Sequence, residues 1–133
     1  MSLLLYVNGT NGDAERLRHA VEHGGTGHCI EICEGKSSLI GRLRMRKFDL
    51  DIVILHAASR TDLDEILSIR QLLDDLRTIL ILPDRDHDTI AQGLTLRPRY
   101  LSFTDGDFGD VSAVLAKMLR FSRKGSENRP ASI

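Results

Sequence analysis

The sequence predicts a single α/β domain: a five-stranded parallel sheet with helices on both faces. Two observations carry this expectation. Five short apolar runs alternate with five segments whose apolar residues recur at helical spacing. Two of those runs, Ile52-Val53-Ile54-Leu55 and Ile79-Leu80-Ile81-Leu82, are unbroken and rich in β-branched residues, as in strands covered on both faces. Strict alternation with short connections then leads to a parallel sheet.

Taken in order, Leu3 to Val7 is the first strand, expected at 3–7. Asn8-Gly9-Thr10-Asn11-Gly12-Asp13 supplies turn formers and helix caps. Leu17, Ala20 and Val21 mark the inner face of the first helix, Glu15, Arg16, Arg18 and Glu22 the outer one, and Gly24-Gly25 ends it. The second strand, 28–33, is shorter and more polar, which suits an edge. Leu39, Ile40 and Leu43 face inward from the next helix, ringed by Arg42, Arg44, Arg46 and Lys47. Asp49 and Asp51 adjoin this basic cluster and no aromatic interrupts it, so a solvated helix face is expected.

The third strand, 51–56, ends at His56. Thr61-x-x-Asp64 reads as a capping box for a helix striped by Leu63, Ile66, Leu67, Leu73 and Leu76. The fourth strand, 78–82, is halted by Pro83, and a weaker helix runs from about Asp86 to Gly93 before Pro98. The last strand is expected at 99–103, and Phe108, Val111, Val114, Leu115, Met118 and Leu119 define the last helix. The expected domain is 1–123; 124–133 is polar and aperiodic, a disordered tail or the start of a linker. Five strands of this kind most often take the flavodoxin-like (βα)5 order 2-1-3-4-5, with the site at the carboxyl ends of strands 1 and 3.

Bulk composition narrows the function. A chain of 133 residues, 41% hydrophobic and 28% charged, suits one ordinary globular core. Its net charge of −1 argues against a general electrostatic grip on nucleic acid or an anionic membrane. No apolar run approaches the ~20 residues of a membrane span. The amino terminus lacks the basic segment of a signal peptide, so a cytoplasmic protein is expected. Cys29 and Cys33 on one strand would stand roughly 13 Å apart at ~3.3 Å per residue, too far to bridge. They are expected to be reduced and structural.

The apolar frame resembles the response-regulator receiver (CheY-like) domain over nearly all of residues 2 to 122. Asp51-Ile52-Val53-Ile54-Leu55-His56 resembles the family's third strand, Ile79-Leu80-Ile81-Leu82-Pro83-Asp84 its fourth, and Tyr100-Leu101-Ser102-Phe103 its fifth. The resemblance implies that an aspartate ending strand 3 accepts a phosphoryl group, that two acidic residues after strand 1 hold magnesium, and that a hydroxyl and a lysine end strands 4 and 5. This chain carries His56, Asn8 with Gly9, Pro83 and Phe103 at those positions. One amide is a poor set for magnesium, proline has no N–H, and phenylalanine has no charge. The expectation is a degenerate form with no catalytic residue, metal or cofactor.

Other chemistries are weaker fits. Imidazole accepts phosphoryl groups and binds metals, but His56 has only Asn8 and Asp84 as expected polar neighbours, so a satisfied, partly buried histidine is expected. Asp84-Arg85-Asp86-His87-Asp88 lacks the Gly and Glu of a calcium loop, since Thr89 and Thr95 stand there, and is better read as caps and solvated charge. Gly9-Thr10-Asn11-Gly12 matches neither a Walker loop nor a dinucleotide fingerprint. The leading expectation is a non-enzymatic two-component-like signalling module. It would act on a protein partner, whether a signalling kinase, an output domain or a second copy, through the face holding Tyr100, Ser102 and the outer side of the last helix. The alternative is a small-molecule binder using the crevice by Asn8, His56, Pro83 and Phe103: a deep pocket would favour it, and a crevice plugged by Phe103 and His56 would not.

Overall fold

Every apolar run becomes a strand within one residue of its expected bounds. The computed structural model describes residues 2–8, 12–25, 27–45, 50–74 and 76–119. Its elements are β1 (Ser2–Val7), α1 (Gly12–Gly24), β2 (Cys29–Glu34), α2 (Lys36–Met45), β3 (Leu50–His56), α3 (Arg60–Ser68), a 3-10 turn (Arg70–Leu73), β4 (Arg77–Leu82), α4 (His87–Leu94) and β5 (Tyr100–Phe103). A last helix, α5, occupies 109–119. The five strands are all parallel, in the order β2-β1-β3-β4-β5. The fold is therefore the flavodoxin-like one that the alternation predicts.

The period of two along a strand explains why two separate cores form. Leu4, Tyr6, Val53, Leu55, Leu80 and Leu82 face α2 and α3, meeting Leu39, Leu43, Leu63 and Ile66, with Ile90 of α4 packed against them. Leu3, Leu5, Ile52, Ile54, Ile79 and Ile81 face the other way, onto Leu17 and Val21 of α1 and Val111 and Leu115 of α5. Helices α1 and α5 touch backbone to backbone: a β-carbon at Gly24 would lie 2.5 Å from the Ser112 carbonyl oxygen. Strand β2 is the polar edge, and Arg42 of α2 is half-buried rather than a solvated charge. It grips Glu31 with both Nε (2.5 Å) and Nη2 (3.1 Å). Cys29 is exposed, Cys33 is buried, and both are free thiols.

Three local expectations are corrected. The helix after β3 starts earlier than the Thr61–Asp64 box implies, because Ser59 is the cap and its Oγ accepts from the Asp62 N–H at 3.2 Å. That helix does not run on to Leu76. Ser68 Oγ donates to the Glu65 carbonyl (2.6 Å) and the Ile69 N–H bonds three residues back to Ile66 (3.1 Å), so the chain tightens into the 3-10 turn. Phe108 precedes α5 rather than belonging to it, at φ 64°. Gly9, Thr10, Asn11, Arg46, Lys47, Asp49, Arg120 and the 124–133 tail lie outside the described residues.

Candidate functional site at the strand ends

Strand order reverses between β1 and β3, which opens a crevice at their carboxyl ends. Asn8 leaves β1 there, exposed, and its Nδ2 donates to Asp62 Oδ1 at 2.7 Å. The other oxygen of Asp62 accepts the Ala58 N–H at 3.2 Å. Asp62 is 7% exposed and sits in the first turn of α3, where a carboxylate is favoured by the helix dipole. The amide of Asn8, just past β1, thus closes onto a carboxylate of α3. Among the described residues no group of three or more His, Cys, Asp or Glu is arranged to hold a metal ion.

His56 ends β3 and is 1% exposed, with its Nε2 enclosed and without a hydrogen-bond partner. This corrects the expectation of a satisfied, partly buried histidine. Its neighbours differ too: Asp13 and Asp62 act on it electrostatically, whereas Asp84 bonds elsewhere. The imidazole meets the ring of Phe108 edge on, with centroids 6.4 Å apart at 81°. Phe108 is wholly buried, and the Arg16 guanidinium lies 5.3 Å from its ring centroid. Arg16 in turn bonds Asp13 at 2.5 Å and the Gly106 carbonyl at 3.3 Å. Burial pushes the His56 imidazole below its ordinary pKa, outweighing the two carboxylates, so the neutral form is the buried one.

Phe103 does not share this plug. It packs against the opposite core, with α2 to α4, and Arg85 stacks over its ring at 4.1 Å. Arg85 also makes a two-pronged pair with Asp105 (3.0 and 3.1 Å), which holds the Asp105 carboxyl below the usual range. Pro83 ends β4 half-buried. Beyond it, Asp84 accepts from the Asp86 N–H at 3.0 Å, and Arg60 bridges Asp84 (3.3 Å) and Asp86. The acidic run after β4 is thus an ion-paired loop, and the cap expected in it is corrected: Asp86 stands at the N-cap position of α4, but its side chain makes no capping bond.

Tyr100 and Ser102 converge on one carboxylate oxygen, Asp110 Oδ2, at 2.9 and 2.8 Å. Burial first, then Asp110, pushes the Tyr100 phenol above its ordinary pKa. Ser102 is 3% exposed, which removes it from the outer face on which it was expected. Tyr100 is half-buried at the β5 edge. Two surface cavities lie away from His56. One of about 460 Å³ is bounded by Val7, Glu15, Arg18, Ile32 and Ser38, and one of about 700 Å³ lies between α1 and α5 along His19, His23, Asp107 and Ala113. Neither is lined by Asn8, His56, Pro83 or Phe103.

Sequence reasoning missed Asp62, Phe108 and Arg16. A signal for Asp62 exists in Ser59-x-x-Asp62 directly after β3, a capping pattern two residues before the one chosen.

No family model and no curated protein sequence matches the chain. Solved structures do. A two-component response regulator from Clostridium difficile is 16% identical, with a TM-score of 0.68 over 90% of this chain and 97% of that one. A response regulator from Thermotoga maritima is 15% identical, with a TM-score of 0.64 over 90% of this chain and 98% of that one. A protein classed as a pilus assembly protein, from Burkholderia thailandensis, is 16% identical, with a TM-score of 0.59 over 90% of this chain and 99% of that one. The chain has the fold of the receiver domains.

Proposed function

We propose that this chain is a non-enzymatic receiver-like signalling module, spanning residues 1–123, that works through protein contact and is not phosphorylated on aspartate. The observation that carries the reading is His56: an imidazole stands where the family has its acceptor, buried under Phe108 and shielded by Arg16. A phosphoryl donor needs an exposed nucleophile and preorganised positive charge. Here Asn8 is engaged with Asp62, Pro83 offers no donor, and Phe103 faces the other core. The solved relatives include response regulators and a pilus assembly protein, so the same architecture serves more than one assembly. We assign no cofactor or metal, and the partner is a protein rather than nucleic acid or a membrane. No helix among the described residues is long and apolar enough to cross a membrane.

The β5 edge, between α4 and α5, is the contact surface in this reading. It carries half-buried Tyr100, exposed Asp110 and Leu94, which is 54% exposed at the end of α4. The test is quantitative co-purification from the native host, comparing wild type with Leu94→Glu and Tyr100→Ala. Proteins lost with both variants support the reading. If no protein is lost and a small molecule co-purifies, the crevice-binding alternative takes its place.

A further inference from the structure

The end of β3 holds a group that the proposed signalling role leaves unused. His56 Nε2 is enclosed without a partner, and the ring lies edge on to Phe108. Phe108 is itself held at φ 64°, a left-handed conformation disfavoured for a bulky side chain. Arg16 closes the arrangement from α1, over the Phe108 ring and onto the Gly106 carbonyl. A neutral imidazole tolerates this enclosure. A charged one would lose hydration without gaining a hydrogen bond at Nε2.

We infer that the His56–Phe108–Arg16 stack is a proton-operated latch: protonation of His56 in mild acid drives the imidazole out from under Phe108 and frees the turn between β5 and α5. That turn leads directly into Asp110, which holds Tyr100 and Ser102, so opening reaches the β5 edge. The charged groups acting on the imidazole are Asp13 from α1 and Asp62 from α3, and Arg16 of α1 lies over the neighbouring Phe108 ring. In the turn, Asp107 accepts the Gly109 N–H at 2.9 Å, and β4 places apolar Ile81 beside His56. Burial is what disfavours the cation in the closed state, so the open, hydrated imidazole binds the proton more tightly than the closed one. A proton then shifts the population by that difference in affinity.

The direction follows from linkage. The closed state holds His56 below the ordinary imidazole value of about 6.5, so its full stability is present above that pH. It is lost as pH falls below about 6.5, by up to about tenfold in the opening constant per pH unit, until the lowered pKa is passed. The latch stands whether or not a protein partner binds.

The experiment is nuclear magnetic resonance on the full chain, titrated from about pH 7.5 to about pH 5 across the histidine range. The His56 ring and the Gly106 and Gly109 amides are expected to shift together, with a midpoint below about 6.5. The same amides are expected to stay still in His56→Gln. If that variant does not fold, the wild-type titration decides alone. A turn that stays fixed across the range, a His56 ring titrating at the ordinary value, or an unchanged response in His56→Gln would each overturn the latch.

Discussion

Replacing Asn8 by aspartate should turn the bond that closes the crevice into a repulsion. Two terms set its size. The first is the loss of a hydrogen bond to the largely buried Asp62 carboxylate, made at 2.7 Å. Bonds to charged groups contribute about 1.5–3 kcal/mol, and Asp62 keeps its Ala58 N–H, so Asn8→Ala is expected to cost about 1–2 kcal/mol. The second term is like charge. Two carboxylates at that separation repel by about 1.5 kcal/mol in bulk water and about 6 kcal/mol at an effective dielectric of ~20. Asn8 is exposed, so the lower part of that span applies, and Asn8→Asp is expected to cost about 3–4 kcal/mol near neutral pH.

The pH dependence separates the two terms. The introduced carboxyl is expected to hold its proton to higher pH than a free aspartate, near 3.9. Its folded pKa is raised, so the extra penalty is absent below about pH 3.9 and fully present once pH has risen through the raised value. Urea unfolding followed by circular dichroism, at several pH values between these limits, measures both variants. Identical stabilities for Asn8→Asp and Asn8→Ala at every pH would refute the reasoning, since the side chain would then not face Asp62.

Gly24→Ala should destabilise by about 1–3 kcal/mol in the same assay, because the new methyl meets Ser112 backbone rather than a side chain that can turn aside. Tyr6→Phe should be neutral or stabilising, since the Tyr6 hydroxyl is buried without a partner, and a loss above about 1 kcal/mol would reveal a bond the geometry does not show. Burial, with Asp62 and Glu65, pushes the Tyr6 phenol up to about 12, so folding stability from this group is present below about pH 10 and lost as pH rises through the folded value; ultraviolet titration of wild type against Tyr6→Phe reads it. Arg85→Ala should leave the urea midpoint nearly unchanged despite its two bonds to Asp105, because both partners are exposed and water screens the pair.

Strands were legible because an apolar run of strand length admits few alternatives. Ile52–Leu55 and Ile79–Leu82 show this best, for their neighbours on both faces are themselves apolar. The site was legible only as a set of positions. Asn8 and His56 could be placed at strand ends by counting, but their surroundings depended on residues brought in from elsewhere. Phe108 reads as the first inward residue of an amphipathic helix, and only the left-handed turn before α5 sends it over His56. Arg16 reads as an outward charge on α1, which it partly is, yet its long side chain lies across Phe108. Asp62 was hidden by a capping pattern two residues further on. Phe103 shows the opposite failure: counting along the strands placed it beside the crevice, and strand parity turned its side chain to the other core.

The most direct test of the central claim is intact-mass measurement after incubation with acetyl phosphate and magnesium. The account predicts an unchanged mass for wild type and for His56→Asp, because restoring one carboxylate leaves Asn8, Pro83 and Phe103 where the metal, hydroxyl and lysine would be needed. A stable gain of one phosphate on wild type, lost in His56→Ala, would contradict it.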